Sequence, residues 1–241
     1  MNAFGIASIS GAAFLTGFSK AGMPGIGILI PVLAAMAMPA RASTGFILPV
    51  LIEGDCVAVA YWRRKAAWRS LVRLLPWAAL GVICGYFLMG FLSDAIFKPL
   101  LGGMILAIVA LDLARRAFKM ELRPENRVLA AATGILAGVF TMLANAATPV
   151  MTVYLLAMDL PKDDFVGTSA WFYFIVNLFK LPFSLALGLV TWASLKIDLM
   201  LLPVVIAGSL VGILVMKRLP QKAFNLIAQV LAVVGGVKLF F

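Results

Sequence analysis

Residues 16–27 read Thr16-Gly17-Phe18-Ser19-Lys20-Ala21-Gly22-Met23-Pro24-Gly25-Ile26-Gly27, in the middle of an apolar stretch that runs over residues 3–38. A helix that crosses a bilayer needs about 20 mostly apolar residues. Residues 3–38 are too many for one span, and Ser19–Gly25 interrupts them. A second apolar stretch, 127–158, is interrupted around Ala144-Asn145-Ala146-Ala147-Thr148-Pro149. Each interruption leaves a piece too short for a comfortable span, 24–38 and 147–158. Broken segments are tolerated at membrane depth only where protein or a water-filled cavity satisfies the freed backbone groups. Two such breaks in one chain predict a multi-pass helical membrane protein with an internal cavity.

Composition agrees. The chain of 241 residues is 63% hydrophobic and 12% charged, against about 25% charged in a soluble domain. That is too little charge for a water-facing surface. The net charge of +10 does not point to nucleic acid, because the basic residues lie in short gaps between apolar runs. No basic residue precedes the first apolar run, so it reads as mature protein and not as a secretory signal. Full-length spans are expected at 43–62, 70–92, 96–114, 165–190, 198–216 and 223–241. With the broken segments, the expectation is an all-α membrane protein of about eight to ten transmembrane segments.

The chain is expected to repeat itself. Leu75-Pro76, Gly81 and Gly85 match Leu202-Pro203, Gly208 and Gly212 at an offset of 127 residues. Pro39 and Gly45 match Pro161 and Gly167 at 122, and Gly17 matches Gly138 at 121. The two repeats divide the chain into 1–120 and 121–241, each opened by a broken, re-entrant helix. The glycine pairs have the small-xxx-small spacing that close helix packing explains.

Lys/Arg distribution fixes the topology. Arg63, Arg64, Lys65, Arg69, Arg73, Arg115, Arg116, Lys119, Arg123, Arg127, Lys162, Lys217, Arg218 and Lys222 gather on one side, against Arg41, Lys98 and Lys196 on the other. The positive-inside rule makes the first side cytoplasmic. Tyr61, Trp62 and Trp68 are expected in its aromatic belt, and Trp192 in the opposite one. Both termini then face the periplasm, and the repeats are inverted relative to each other. Inverted repeats opened by discontinuous helices characterise secondary transporters.

The candidate binding residues follow from the breaks. Glycines Gly22, Gly25 and Gly27 allow close backbone approach to a ligand. Pro24 suits a helix start, whose free N–H groups favour an anion. Ser19 and Lys20 add a donor and a positive charge. Asn145 and Thr148 are the corresponding donors of the second break. Lys180 lies deep in its helix, with Ser169 and Asn177 on the same helix and Asn177 on the same face. Glu53 and Asp55 are candidates for ion coupling or an ion pair. They lie two residues apart and do not share a face. Asp55 matches Asn177 at 122 residues, and an Asp55–Lys180 pair is expected.

The exclusions are as useful. The chain has no His, and its two cysteines lie in apolar stretches. That removes His metal sites, a disulfide framework and Ser-His or Cys-His catalysis. No catalytic residue, metal or cofactor is expected.

At these residues the sequence resembles the TauE/SafE sulfite exporter family. Thr16–Gly22 looks like the family's first-half signature, as does the run from Leu48-Pro49 through Tyr61-Trp62-Arg63-Arg64 to Trp68-Arg69. Asn177-Leu178-Phe179-Lys180-Leu181-Pro182 and Gly188-Leu189 resemble its second half. The resemblance implies a secondary transporter of the cell inner membrane that exports sulfite, a related sulfur oxyanion or an organosulfonate. The partners implied are that small anion and membrane lipid, with a homodimer left open. One departure stands out: family members often carry Gly-Gly at the second break, where this chain has Asn145-Ala146-Ala147. A channel, or a carrier for another small anion, is the alternative.

Overall fold

The computed structural model describes residues 3–37, 40–91 and 127–238. The expected span 96–114 lies outside the described residues, as does the boundary between the two halves near residue 120. The described residues form α1 (Ala3–Ala21), a 3₁₀ turn (Pro24–Ile28), α2 (Leu29–Ala37), α3 (Ala40–Trp62) and α4 (Trp68–Phe91). After the gap come α5 (Arg127–Ala144), α6 (Thr148–Ala157), α7 (Lys162–Ala186), α8 (Trp192–Arg218) and α9 (Gln221–Lys238). Among the described residues five helices are long and apolar enough to cross a membrane: α3, α4, α5, α7 and α8. No strand occurs among the described residues.

Polarity is inside out relative to a water-soluble protein. Val72, Phe87, Phe91, Leu199, Met200 and Leu214 point outward, where lipid suits them. Asp55, Asn177, Lys180 and Asp198 are buried. Prolines Pro49, Pro76, Pro182 and Pro203 sit within helices, which membrane helices accommodate when neighbours satisfy the freed carbonyls.

Both breaks form, with one shift in position. α1 continues as helix through Ala21, so Ser19 and Lys20 lie on its last turn instead of in a loop. The interruption is Gly22-Met23, whose N–H groups both return to the Phe18 carbonyl at 3.0 and 3.2 Å. Pro24 opens the 3₁₀ turn, not α2 itself. The Ala21 carbonyl at the end of α1 accepts from the Trp62 indole Nε1 at 2.8 Å. This corrects the aromatic-belt expectation for Trp62. It is buried because an orphan helix-end carbonyl needs a donor where water is absent. The second break, Asn145–Ala147, falls where expected. Asn145 takes a left-handed backbone with φ 54°, which asparagine tolerates better than most residues.

Glycines bring the helices together in matched pairs. A Cβ on Gly17 of α1 would collide with the Val205 carbonyl and Ser209 amide of α8; one on Gly138 of α5 would collide with the Ala78 carbonyl and Val82 amide of α4. Likewise Gly208 abuts the Phe14 carbonyl and Gly81 the Ile135 carbonyl, while Gly45 abuts Leu189 and Gly167 abuts Lys65. Each member of these pairs is offset from its counterpart by 121–127 residues. Backbone-to-backbone approach of this kind leaves no room for a side chain, and it is how membrane helices gain packing contact without a hydrophobic driving force.

Three basic segments meet at one end of the molecule, while Arg115, Arg116, Lys119 and Arg123 lie outside the described residues. Lys162 Nζ donates to the Met216 carbonyl at 2.9 Å and to the Leu219 carbonyl. The Ala67 amide donates to Thr168 Oγ1 at 2.9 Å. The 63–73, 162 and 217–222 segments thus share that end. Gly45 and Leu189, at the other ends of α3 and α7, meet at the opposite one.

Candidate functional site

A small cavity lies between the two breaks. Its polar lining comes from Ser19, Asn145, Thr148, Ser169, Tyr173 and Asn177, with Lys20, Gly27 and Thr141 completing that part of the wall. Its free volume of about 20 Å³ is on the scale of water, since one water needs roughly 10–15 Å³ by this measure. The two breaks approach each other at Gly27. A Cβ there would sit 2.8 Å from Ser19 Oγ and 3.3 Å from Thr148 Oγ1. Glycine is required because two hydroxyls from different halves of the chain converge on that spot.

Lys20 Nζ lies 2.8 Å from Asp55 Oδ1, with 9% and 0% of the two side chains exposed. The same ammonium stands 4.1 Å from the centroid of the Tyr173 ring, a cation–π distance. α1 and α3 come close at Gly54, where a Cβ would lie 3.3 Å from Lys20 Cγ. That approach delivers Lys20 to the residue next to Gly54. The other carboxylate oxygen, Asp55 Oδ2, accepts from Asn177 Nδ2 at 2.6 Å. Asp55 and Asn177 are the residues matched across the two halves, and they touch each other.

The expected Asp55–Lys180 pair is replaced by this Lys20–Asp55 pair. Lys180 lies one turn beyond Asn177 and faces α5. Its ammonium donates to the Thr141 carbonyl at 2.9 Å, to Thr141 Oγ1 at 3.2 Å and to Asn145 Oδ1. Three acceptors use three N–H donors, the complement of a protonated lysine. Asn145 in turn donates from Nδ2 to the Thr44 carbonyl at 2.9 Å. Asn145, expected to be a free donor of the break, instead gives one of its two N–H groups to α3 and links Lys180 to the second interruption.

The ten expected binding residues divide into three groups. Ser19, Lys20, Gly27, Asn145, Thr148, Ser169 and Asn177 line the cavity. Lys180 stands directly behind Thr141 and Asn145. Gly22 and Gly25 are buried and lie outside the lining. A Cβ on Gly22 would sit 2.5 Å from the Gly212 carbonyl oxygen, so its role is helix packing.

Three residues were not singled out in the sequence. Thr141 and Tyr173 carry ordinary helix-interior signals and gain significance only through their neighbours. Asp198 had a signal: it is the lone acidic residue among the apolar residues of its helix. With α8 starting at Trp192, Asp198 lies two turns in, is 1% exposed, and neither carboxylate oxygen has a hydrogen-bond partner among the described residues. Glu53, half-buried on α3, also has one buried unpaired oxygen, Oε2. Among the described residues no group of three or more acidic or cysteine side chains could hold a metal ion.

Interrupted helices around a buried, polar, charged cavity define a multi-pass membrane protein of the transporter class. The chain belongs to the sulfite exporter TauE/SafE family, which matches residues 9–239, nearly its whole length. That family implies a membrane exporter of anions or sulfur compounds. No curated protein and no solved structure matched the chain.

Proposed function

We propose that this protein is a secondary carrier that exports sulfite or a related small sulfur-containing anion across the bacterial inner membrane. The observation that carries the reading is the cavity between the two breaks. It is ringed by hydroxyl and amide groups, with the ammonium groups of Lys20 and Lys180 at its edge. An oxyanion there would accept from Ser19, Thr148, Ser169 and Tyr173. Lys20 and Lys180 would supply charge.

The carrier is built as two inverted repeats, 1–120 and 121–241. The matched glycine contacts and the Asp55–Asn177 contact support this, since residues related by a two-fold axis meet each other only near that axis. Both termini face the periplasm, a reading supported by the basic segments meeting at one end. The cavity's small volume fits an occluded state, in which the two breaks must part before an anion enters. Alternating access then follows from one repeat rocking against the other. A monovalent anion leaving a negative interior gains about 2.3 kcal/mol per 100 mV, an outward driving force that requires no coupled ion.

The test is sulfite efflux from vesicles holding the purified protein, with the potential set by a potassium gradient. Saturable efflux that increases as the interior becomes more negative is the expected result. Vesicles that leak sulfite no faster than protein-free controls would refute the reading.

A further inference from the structure

The charges around the cavity do not simply add up to a basic pocket. Lys20 and Lys180 are positive and Asp55 is negative, and the three interact within one buried cluster. Asp55 is wholly buried; its Oδ1 is ion-paired with the Lys20 ammonium and its Oδ2 accepts from Asn177 Nδ2. Neither partner asks it to donate, so the carboxylate is matched as an anion. Lys180 has three acceptors and is matched as a cation. Lys20 is the one charged side chain in the cavity lining among the described residues. Glu53 lies two positions from Asp55, roughly 200° around the helix, and does not join the cluster.

We infer that Asp55 is a specificity-determining residue: it holds the cluster at a net charge of one, so the site takes a singly charged oxyanion, a sulfonate or bisulfite, in preference to a doubly charged one. This rests on the carrier reading above and narrows its substrate class. A monoanion makes the buried cluster neutral. A dianion leaves a net negative charge far from water and beside a carboxylate that cannot turn away, because Lys20 and Asn177 hold both its oxygens. Unbalanced charge is most costly where the dielectric is low. Without Asp55 the same lysines would present two charges and suit a dianion.

Methanesulfonate and sulfate test this, because each keeps its valence across the working pH range. They are compared as inhibitors of sulfite efflux from vesicles at matched ionic strength. Wild type is expected to need at least about tenfold more sulfate than methanesulfonate for half-inhibition, a difference of about 1.4 kcal/mol. In Asp55→Asn the gap should narrow by about tenfold or invert. Lys20→Met/Asp55→Leu removes both charges and keeps the net value at one; its efflux should weaken, because Lys20 lines the cavity, while its sulfate-to-methanesulfonate ratio should follow wild type and not Asp55→Asn. The double variant separates valence from folding damage, and the wild-type comparison needs no variant at all. Sulfite efflux with a sulfate-to-methanesulfonate ratio below about threefold, including no inhibition by either, overturns the valence rule and leaves the carrier reading standing. An Asp55→Asn protein that transports with the wild-type ratio does the same. Absence of sulfite efflux from the wild type overturns the carrier reading and this inference with it.

Discussion

Lys20 and Asp55 form an ion pair 2.8 Å long that joins the end of α1 to the middle of α3, with the Asp55 carboxylate wholly buried. Breaking such a pair strands one charge, which costs about 3–5 kcal/mol, whereas replacing both members by apolar residues is often neutral. Lys20→Met and Asp55→Leu should each lower the thermal unfolding midpoint in detergent, and the double substitution should recover most of the loss. Additive effects in that cycle would mean the two charges are not coupled.

Lys180 should matter to transport for a different reason. Lys180→Met removes the donor from the Thr141 carbonyl, Thr141 Oγ1 and Asn145 Oδ1, and takes the positive charge from behind the cavity. Sulfite efflux is expected to fall on the order of 10- to 100-fold. Lys180→Arg should recover only part, because a planar guanidinium cannot reproduce three converging bonds to one nitrogen. A folded Lys180→Met protein with unchanged efflux would show that the lysine only ties α7 to α5.

The glycine contacts predict a position-dependent cost. Gly17→Ala drives a methyl into the α8 backbone at Val205 and Ser209, while Gly90 has nothing within 4 Å of the Cβ it would gain. Gly17→Ala should destabilise by roughly 1–3 kcal/mol, as overpacking does. Gly90→Ala should leave the unfolding midpoint within about 0.5 kcal/mol of wild type. Equal tolerance at both sites would contradict the close α1–α8 approach.

Asp198 offers the opposite sign. A buried polar group without a partner costs about 1–3 kcal/mol by protein mutational data, and neither Asp198 oxygen has one among the described residues. Asp198→Leu should raise the unfolding midpoint. A lowered midpoint would indicate that the carboxylate is engaged in a state other than this one.

Orientation is open to a direct check. A reporter that works only in the periplasm, fused after Phe241, should be active, and a cytoplasmic reporter at the same site silent. The reverse pattern would invert the positive-inside assignment and the inverted-repeat reading that depends on it.

Sequence by itself determined the environment of this protein and where its helices break. Long apolar runs leave no alternative to helices in lipid, because every backbone group must be bonded within its own segment. Breaks near Gly22-Met23-Pro24 and Asn145–Ala147 were legible, since glycine and proline act on the local backbone. Offsets between glycines were visible because close packing demands the absence of a side chain, which composition records directly. Contacts were not legible in the same way. Asp55 could have met either lysine, and only the close passage of α1 over Gly54 chose Lys20. Lys180 was left to face the second break, and Trp62 was drawn from the expected belt to the end of α1. Asp198 went unnoticed because one residue's depth depends on where its helix starts, which the neighbouring loop decides. Partner choice inside a membrane is a matter of reach across helix interfaces, and that geometry exists only once the helices are packed.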